Sequence, residues 1–403
     1  MSLRTTGRCR SDDIKRYVVL HIAMIGHKQI QGCEGGIEKA VRDLSGRFAE
    51  RGHTVTVYDR KVLFSAAKKP GRESRLSFDC PGSVRIVRVP TLPGAAEVPL
   101  YSALAALHAA FSRCDLVMFH ASGPCRMIPL ARLGRKKIVA FIHGLDSTSS
   151  KWGRYASHYL RMGERRAAKS ADAMLLLSEQ ISSFFKKNYG RAGTLVFNGI
   201  SAPVPDDGDG AVLSAAGLKP GEYLLWVGRL SPEKRVEDLI DAYKMSGSGK
   251  TLFLAGSIDS TDQYYFKLKE KCAGYDGPGR IVFGGYRTAT ELDALYRNSF
   301  AFVFPSSQEG MPYALLEALS CGALCILSDI PECRAVAKDH ALYFGAGDIA
   351  ALCDTIKRTE SDPQRYGKLT EGESEETLER FSLEKSAERI IGICSRVLEG
   401  EHV

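Results

Sequence analysis

The chain has 403 residues, too many for one comfortable core and suited to two domains of roughly 150–200 residues each. Apolar residues at 44% and charged residues at 25% are ordinary for a globular protein, and no apolar run nears the ~18 residues that would cross a bilayer as a helix. The net charge of +8 hides a split: residues 1–200 hold 33 Lys and Arg against 15 Asp and Glu, whereas residues 201–403 hold 22 against 32, so the first half suits an anionic surface and the second does not.

Residues 1–16 are basic and lack the apolar stretch of a secretory signal, which predicts a disordered lead-in to a chain that stays in the cytosol. The 11 cysteines are scattered, with no C-x-x-C pair, and read as reduced thiols.

From Tyr17 onward, short β-branched runs alternate with helical patterns, the signature of α/β units on parallel sheets. Strands are expected at 17–25, 54–59, 84–90, 115–120, 136–143, 173–178 and 194–198. Ile37, Val41, Leu44 and Phe48 recur at helical spacing after the first strand and predict an amphipathic helix ending near Gly52. These elements make one doubly wound domain over 17–200.

SAPVPDDGDG, residues 201–210, reads as a linker. A second domain over 211–381 repeats the pattern, with strands at 223–228, 251–256, 280–285, 301–306 and 323–329. Residues 382–403 begin with a helix, over 382–398. The expected class is α/β, two Rossmann-like, doubly wound, parallel-sheet domains facing a cleft.

The stretch SSQEGMPYALLEALSCG places Glu309 in a loop at a strand's carboxyl end and Glu317 along the helix that follows. In open α/β sheets that edge binds ligands, with helix N-termini aimed at anions. Carboxylates accept hydrogen bonds from paired hydroxyls, so a ligand with two polyols around an anionic centre suits both glutamates; that ligand is a nucleotide sugar. Arg229 and Lys234 follow another strand and are placed to hold its diphosphate, although alone they are only two basic residues in a turn. Charge on that diphosphate grows as the sugar bond breaks, so such cations favour the transition state. Gly35 and Gly36 allow close backbone approach and positive φ.

Together "GRLSPEK", "SSQEGMPYALLEALSCGALCILSDIPE" and "GCEGGIEK" resemble glycosyltransferase family four, the retaining enzymes of the GT-B architecture. "HGLDSTSSKWGRYASHYLRMGERRAAKSADAMLLLSE" with "SDIPEC" is similar to the bacterial capsule and exopolysaccharide transferases of its rhamnosyltransferase-like branch. The resemblance implies donor-sugar contact at Glu309 and ribose contact at Glu317, with Gly310, Met311, Pro312 and Tyr313 lining the sugar and phosphate pocket. It also places Ala314 and Leu315 at the helix start, where free N–H groups meet phosphate, Arg229 and Lys234 as a diphosphate clamp, and Gly35-Gly36 as the loop reaching the phosphate from the first domain. His143, at the end of a strand, is placed to contact the donor sugar or polarise a phosphate, and Asp146 orients it or touches acceptor hydroxyls. The base is expected near Tyr286 and Arg287. Asn198-Gly199-Ile200 matches the family's segment before the linker, with Ser201 where an Asp is usual.

No D-x-D motif stands at a strand end; Asp207-Gly208-Asp209 lies in the linker and reads as solvated charge. No metal and no cofactor is expected to be obligatory, a UDP-, GDP- or dTDP-sugar serving as substrate. The implied reaction is front-face transfer with retention, the leaving phosphate taking the acceptor's proton. The basic half, with Lys151, Trp152, Arg154, Tyr155, Tyr159, Arg161, Arg165, Arg166 and Lys169 on a predicted helix, suits peripheral contact with the inner face of an anionic membrane and a polyprenyl-diphosphate-linked glycan acceptor. No nucleic-acid-binding signature is present. Two other readings share this architecture: a non-hydrolysing nucleotide-sugar epimerase, and a non-catalytic partner that binds donor or glycan.

Overall fold

The computed structural model describes residues 19–31, 35–63, 83–148, 153–257 and 263–401. The expected lead-in, Tyr17, Lys151 and Trp152 lie outside them.

The first domain holds strands β1 (His21–Ile25), β2 (Thr54–Val62), β3 (Val84–Thr91), β4 (Leu116–His120), β5 (Lys137–Ile142), β6 (Ala173–Leu176) and β7 (Thr194–Leu195). They form one parallel sheet in the order β3-β2-β1-β4-β5-β6-β7. Helices α1 (Gly36–Glu50), α2 (Glu97–Ala110), α3 (Ile128–Arg132), α4 (Arg154–Ser170) and α5 (Glu179–Tyr189) connect them. Every residue of β4 is buried, as expected for a central parallel strand covered on both faces. α1 packs inward through Val41, Leu44 and Phe48, the stripe set by the sequence spacing.

In the second domain, β8 (Tyr223–Val227), β9 (Thr251–Ala255), β10 (Ile281–Gly285), β11 (Ala301–Phe304), β12 (Cys325–Ser328) and β13 (Ala341–Phe344) pair in the order β10-β9-β8-β11-β12-β13. Around them run α6 (Asp209–Ala216), α7 (Val236–Ser246), α8 (Gln263–Cys272), α9 (Ala289–Arg297), α10 (Tyr313–Ser320), α11 (Pro331–Ala337), α12 (Ile349–Ser361), α13 (Pro363–Gly367) and α14 (Glu373–Arg380), and the last described helix is α15 (Leu383–Leu398). β13 was not anticipated from the sequence; it adds an edge strand beside β12.

Asp209 departs from its expectation as solvated linker charge. It opens α6, and its carboxylate binds Arg297 at 2.6 Å and the Asn298 amide at 2.7 Å, fastening α6 to the end of α9.

α15 follows the second domain in sequence but packs on the first. Ile200 N–H donates to the Phe381 carbonyl and Leu383 N–H to the Ile200 carbonyl, while Glu384 binds Arg47 at 3.0 Å and Arg51 at 2.9 Å. Gly199 makes this approach possible: a Cβ there would stand 2.4 Å from Leu383 Cα. Ile390, Ile393, Cys394 and Val397 complete the buried face.

Candidate active site

In each sheet the chain direction of winding reverses between two central strands, β1 and β4 in the first, β8 and β11 in the second. The carboxyl ends of such strands leave a crevice between diverging loops, where a ligand meets backbone N–H groups. The loops after β1, β8, β9, β10 and β11 meet between the domains around a cavity of about 490 Å³. Its walls include Gly35, Gly36 and Lys39 of the first domain and Arg229, Lys234, Arg287, Glu309 and Glu317 of the second.

Lys234 and Glu309 are paired at 2.5 Å, with side chains only 17% and 8% exposed. The pair joins the turn after β8 to the loop after β11, and both ions keep unused hydrogen-bonding capacity toward the cavity. Arg229 is half exposed and held loosely, 3.8 Å from Glu233, so its guanidinium is available to an anion. Arg287 pairs with Glu291 at 3.1 Å, and a capping box between Thr288 and Glu291 starts α9 beside it.

Glu317 points from α10 to Lys39 of α1 at 3.3 Å, a contact between domains. Burial raises the Glu317 carboxyl above its ordinary range, with Lys39 opposing. Burial works to lower Lys39, yet Glu317 and Asp43 outweigh it and hold the ammonium above its usual value. The 3.3 Å separation and the second carboxylate at Asp43 make the ammonium the firmly charged member. Sequence reasoning quoted Lys39 within GCEGGIEK and gave it no role; its position three residues into the helix after the glycines was the available signal.

Gly35 caps α1 in an extended conformation, φ −147°, and Gly36 is helical, so the expected positive φ is absent. Their use is spatial. A Cβ on Gly36 would touch the Tyr313 ring at 3.6 Å across the cleft. Gly310 is tighter still, since its Cβ would stand 1.9 Å from the His143 carbonyl oxygen. Met311, Pro312, Tyr313 and Ala314 line the main cavity, whereas Leu315 is fully buried in the core and lines neither cavity. Its side chain serves packing, so the part expected of Leu315 falls to its backbone N–H in the first turn of α10.

A second cavity of about 220 Å³ shares Arg229, Lys234 and Glu309 with the first and adds His143, Asp146 and Asn198. Asn198 donates its amide N–H to the Met311 carbonyl at 3.0 Å, which ties the end of the first domain to the Glu309 loop. His143 Nε2 lies 3.0 Å from Nδ1 of His120, a residue the sequence reading did not single out. Burial drives the His143 pKa down to about 3 and that of His120 well below its usual value, His143 itself adding to the latter effect. Both rings are neutral at physiological pH.

Among the described residues, His340, Glu373 and Glu376 have the spacing of a metal-ligand group. They line neither cavity. Thr377 donates to Glu373, Lys338 pairs with Glu376 at 2.5 Å, and His340 Nδ1 lies 3.0 Å from both Glu373 and the Leu369 carbonyl, so the group ties the turn before β13 to α14. No described helix is long and apolar enough to cross a membrane.

Two Rossmann-like domains with cations, carboxylates and paired glycines converging on the cleft define the GT-B class of nucleotide-sugar-dependent folds. Two family models match in succession: Glycosyltransferase Family 4 over residues 34–202 and Glycosyl transferases group 1 over residues 216–375. With both halves present in order, the chain belongs to the GT-B glycosyltransferases. It is 28% identical over 144 residues, 35% of this chain, to O-antigen chain mannosyltransferase B of Escherichia coli, and 29% identical over 148 residues, 36% of this chain, to O-antigen chain mannosyltransferase RfbU of Salmonella typhimurium. These alignments span 37% and 41% of the relatives' lengths. The sucrose-phosphate synthase of Thermosynechococcus elongatus superposes with a TM-score of 0.77 at 19% identity, covering 95% of this chain and 100% of that one. Anabaena HepE, in complex with UDP-glucose, gives 0.75 at 17% identity, covering 93% and 99%. The relatives named here are mannosyltransferases, so the sequence likeness to a rhamnosyl branch finds no counterpart among them.

Proposed function

We propose that this protein transfers a hexosyl unit from a nucleoside-diphosphate sugar to a hydroxyl of a growing cell-surface glycan. The observation behind this reading is the larger described cavity between the domains, with Glu317 beside Lys39 at one part and Lys234, Glu309 and Arg229 at another. Glu317 takes the ribose hydroxyls, Arg229 and Lys234 the diphosphate, and Glu309 the sugar hydroxyls. Gly36 leaves room beside Tyr313 for the phosphates, and the second cavity, with His143 and Asp146, admits the acceptor. UDP-glucose in HepE and the mannosyltransferase names of the relatives support a hexose, with rhamnose as the alternative the sequence likeness suggests.

The mechanism assigned is retaining and independent of metal. Glu309 is held by Lys234 on one side of the site, which suits a contact to sugar hydroxyls better than attack on the sugar. The acceptor hydroxyl enters on the face from which the diphosphate departs, that phosphate takes the proton, and Arg229 with Lys234 offsets the charge left behind. The acceptor is a lipid-linked glycan, approached along the basic first domain. Epimerisation has no support from the relatives, and silent binding leaves the clamp unexplained.

Thermal shift with UDP, GDP, dTDP and CDP, each with and without EDTA, tests the donor pocket, because a ligand bound only by the folded state raises Tm. A selective shift that survives EDTA is the expected result, followed by sugar transfer from the matching donor to a polyprenyl-diphosphate glycan. No shift with any nucleotide would remove the donor-site assignment.

A further inference from the structure

His120 ends β4 and His143 follows β5, adjacent strands of the first sheet. Their rings stack at 5.3 Å between centroids, with Nδ1 of His120 and Nε2 of His143 3.0 Å apart. Two neutral imidazoles joined this way need one proton between those nitrogens, and which ring supplies it is decided by the far side of His120. There, His120 is fully buried and its Nε2 has no hydrogen-bond partner. Were His143 the donor, His120 would carry its proton on Nε2, leaving a buried N–H without an acceptor. Orphaned N–H groups are rarer in protein interiors than under-used acceptors, so the opposite arrangement is favoured. His27, close enough to help lower the His120 pKa, does not supply that acceptor: its Nε2 is committed to Asp59 at 2.8 Å, and its Nδ1 makes no hydrogen bond to His120 Nε2.

We infer that His120 donates from Nδ1 to His143 Nε2 and thereby fixes His143 as the Nδ1–H tautomer, so that His143 meets a ligand in the second cavity only as a hydrogen-bond donor. His120 is a positioning residue: it touches no ligand, and it sets which nitrogen of its neighbour carries the proton. His143 then offers one N–H to a hydroxyl or phosphate oxygen and has no lone pair free for use as a general base. Donation suits an oxygen gaining negative charge, which agrees with a departing phosphate taking the acceptor's proton. This last step rests on the glycosyl-transfer reading; the tautomer does not.

The test is ¹⁵N NMR of the full chain labelled at histidine, with His143 assigned by its loss in His143→Gln. Wild type is expected to show His143 with Nδ1 protonated and Nε2 bare from pH 6 to 8. His120→Leu should relax it to a mixture or to the Nε2–H form, and His120→Asn, whose amide N–H stands near the lost Nδ1–H, should restore the wild-type pattern. With a turned-over donor, His120→Leu is expected to lower kcat about tenfold, with donor KM within about twofold and His120→Asn recovering most of the rate. A wild-type Nε2–H tautomer at His143, or a pattern unmoved by His120→Leu, would overturn the inference. If His120→Leu does not fold, the wild-type and His120→Asn spectra decide. An Nδ1–H pattern with no transfer from any donor would instead count against the function proposed above.

Discussion

Glu309 and Glu317 are close in sequence, yet each is answered by a lysine from elsewhere, Lys234 from the turn after β8 and Lys39 from the other domain. Substituting Glu317→Gln keeps the shape and removes the charge that holds Lys39 and is proposed to bind the ribose hydroxyls. Charged hydrogen bonds are worth about 1.5–3 kcal/mol, so nucleoside-diphosphate affinity by calorimetry should fall roughly 10–100-fold. A change under twofold would take the ribose role from Glu317. Arg229→Ala should leave nucleotide binding within an order of magnitude while lowering kcat about 10²–10³-fold, the range for loss of one donor to developing charge. Equal losses in binding and turnover would make Arg229 a ground-state contact. The histidines add a pH term. His143, with a pKa near 3, and His120, held well below its usual value, are both neutral when folded but protonate near 6.5 once unfolded. Between those limits the unfolded chain binds more protons, so stability falls as pH drops from about 6.5 toward 3. Tm measured from pH 7 to pH 4 should decline, and less steeply in His143→Gln. At this scale the sequence exposed the carboxylates and clamp cations, because their spacing within one turn or helix is local. It concealed Lys39 and His120, whose partners come from distant segments, and it left Leu315 indistinguishable from its pocket-lining neighbours on the same helix.

The loop between β11 and α10 shows how elements, more than single side chains, shape the cleft. Pro312 caps α10 in an extended conformation and Gly322 turns the chain out at φ 70°, the asymmetry visible beforehand in the order of proline and glycine. What no spacing reveals is that Gly310 passes under the His143 carbonyl. Gly310→Ala would put a methyl 1.9 Å from that oxygen, and neither partner is a flexible side chain. The loops must part, at a cost on the order of 1–3 kcal/mol where backbones are crowded. The expected result is a Tm lower by a few degrees, with donor KM raised because Glu309, the next residue, moves as well. An unchanged Tm and KM would mean the two loops separate freely in solution. The strands were legible because buried parallel strands are continuous apolar runs. β13 escaped notice, being a short edge strand with Leu342 and Tyr343 only half-buried, and Asp209 passed for linker because its partners, Arg297 and Asn298, lie almost ninety residues away.

Over the whole molecule, the chain crosses between domains twice, at the segment after Ile200 and at Ser382, and α15 returns to cover the first domain. Truncation before Ser382 would expose the apolar surface that Ile390, Ile393 and Val397 cover and would strip Arg47 and Arg51 of Glu384. Such a chain is expected to aggregate on expression, whereas Glu384→Ala, which removes only the exposed ion pairs, should shift Tm by a degree or two. The charge split has a structural counterpart. α2 and α4 lie on either side of the turn at Gly123, where a Cβ would contact Val98, Tyr159 and Leu160. Leu107 and Phe111 at the end of α2 and Met162 of α4 are at least 40% exposed, Tyr155 is 93% exposed, and α4 adds Arg154, Arg161, Arg165, Arg166 and Lys169. Exposed aromatics among cations are the arrangement that seats a protein on an anionic leaflet, each Lys or Arg adding about 1 kcal/mol near the surface. Sedimentation with vesicles containing 30 mol% phosphatidylglycerol, on the order of a cytoplasmic leaflet's anionic content, should therefore pull the protein down at low salt. Binding should weaken steeply by about 0.5 M NaCl as the Debye length shortens. Arg161→Glu with Arg165→Glu should reduce it about tenfold or more without altering nucleotide-induced stabilisation, since neither residue lines the donor cavity. Vesicles that bind the variant equally well would assign these side chains to solvent and leave the proposed lipid-linked acceptor to be recognised through the second cavity alone.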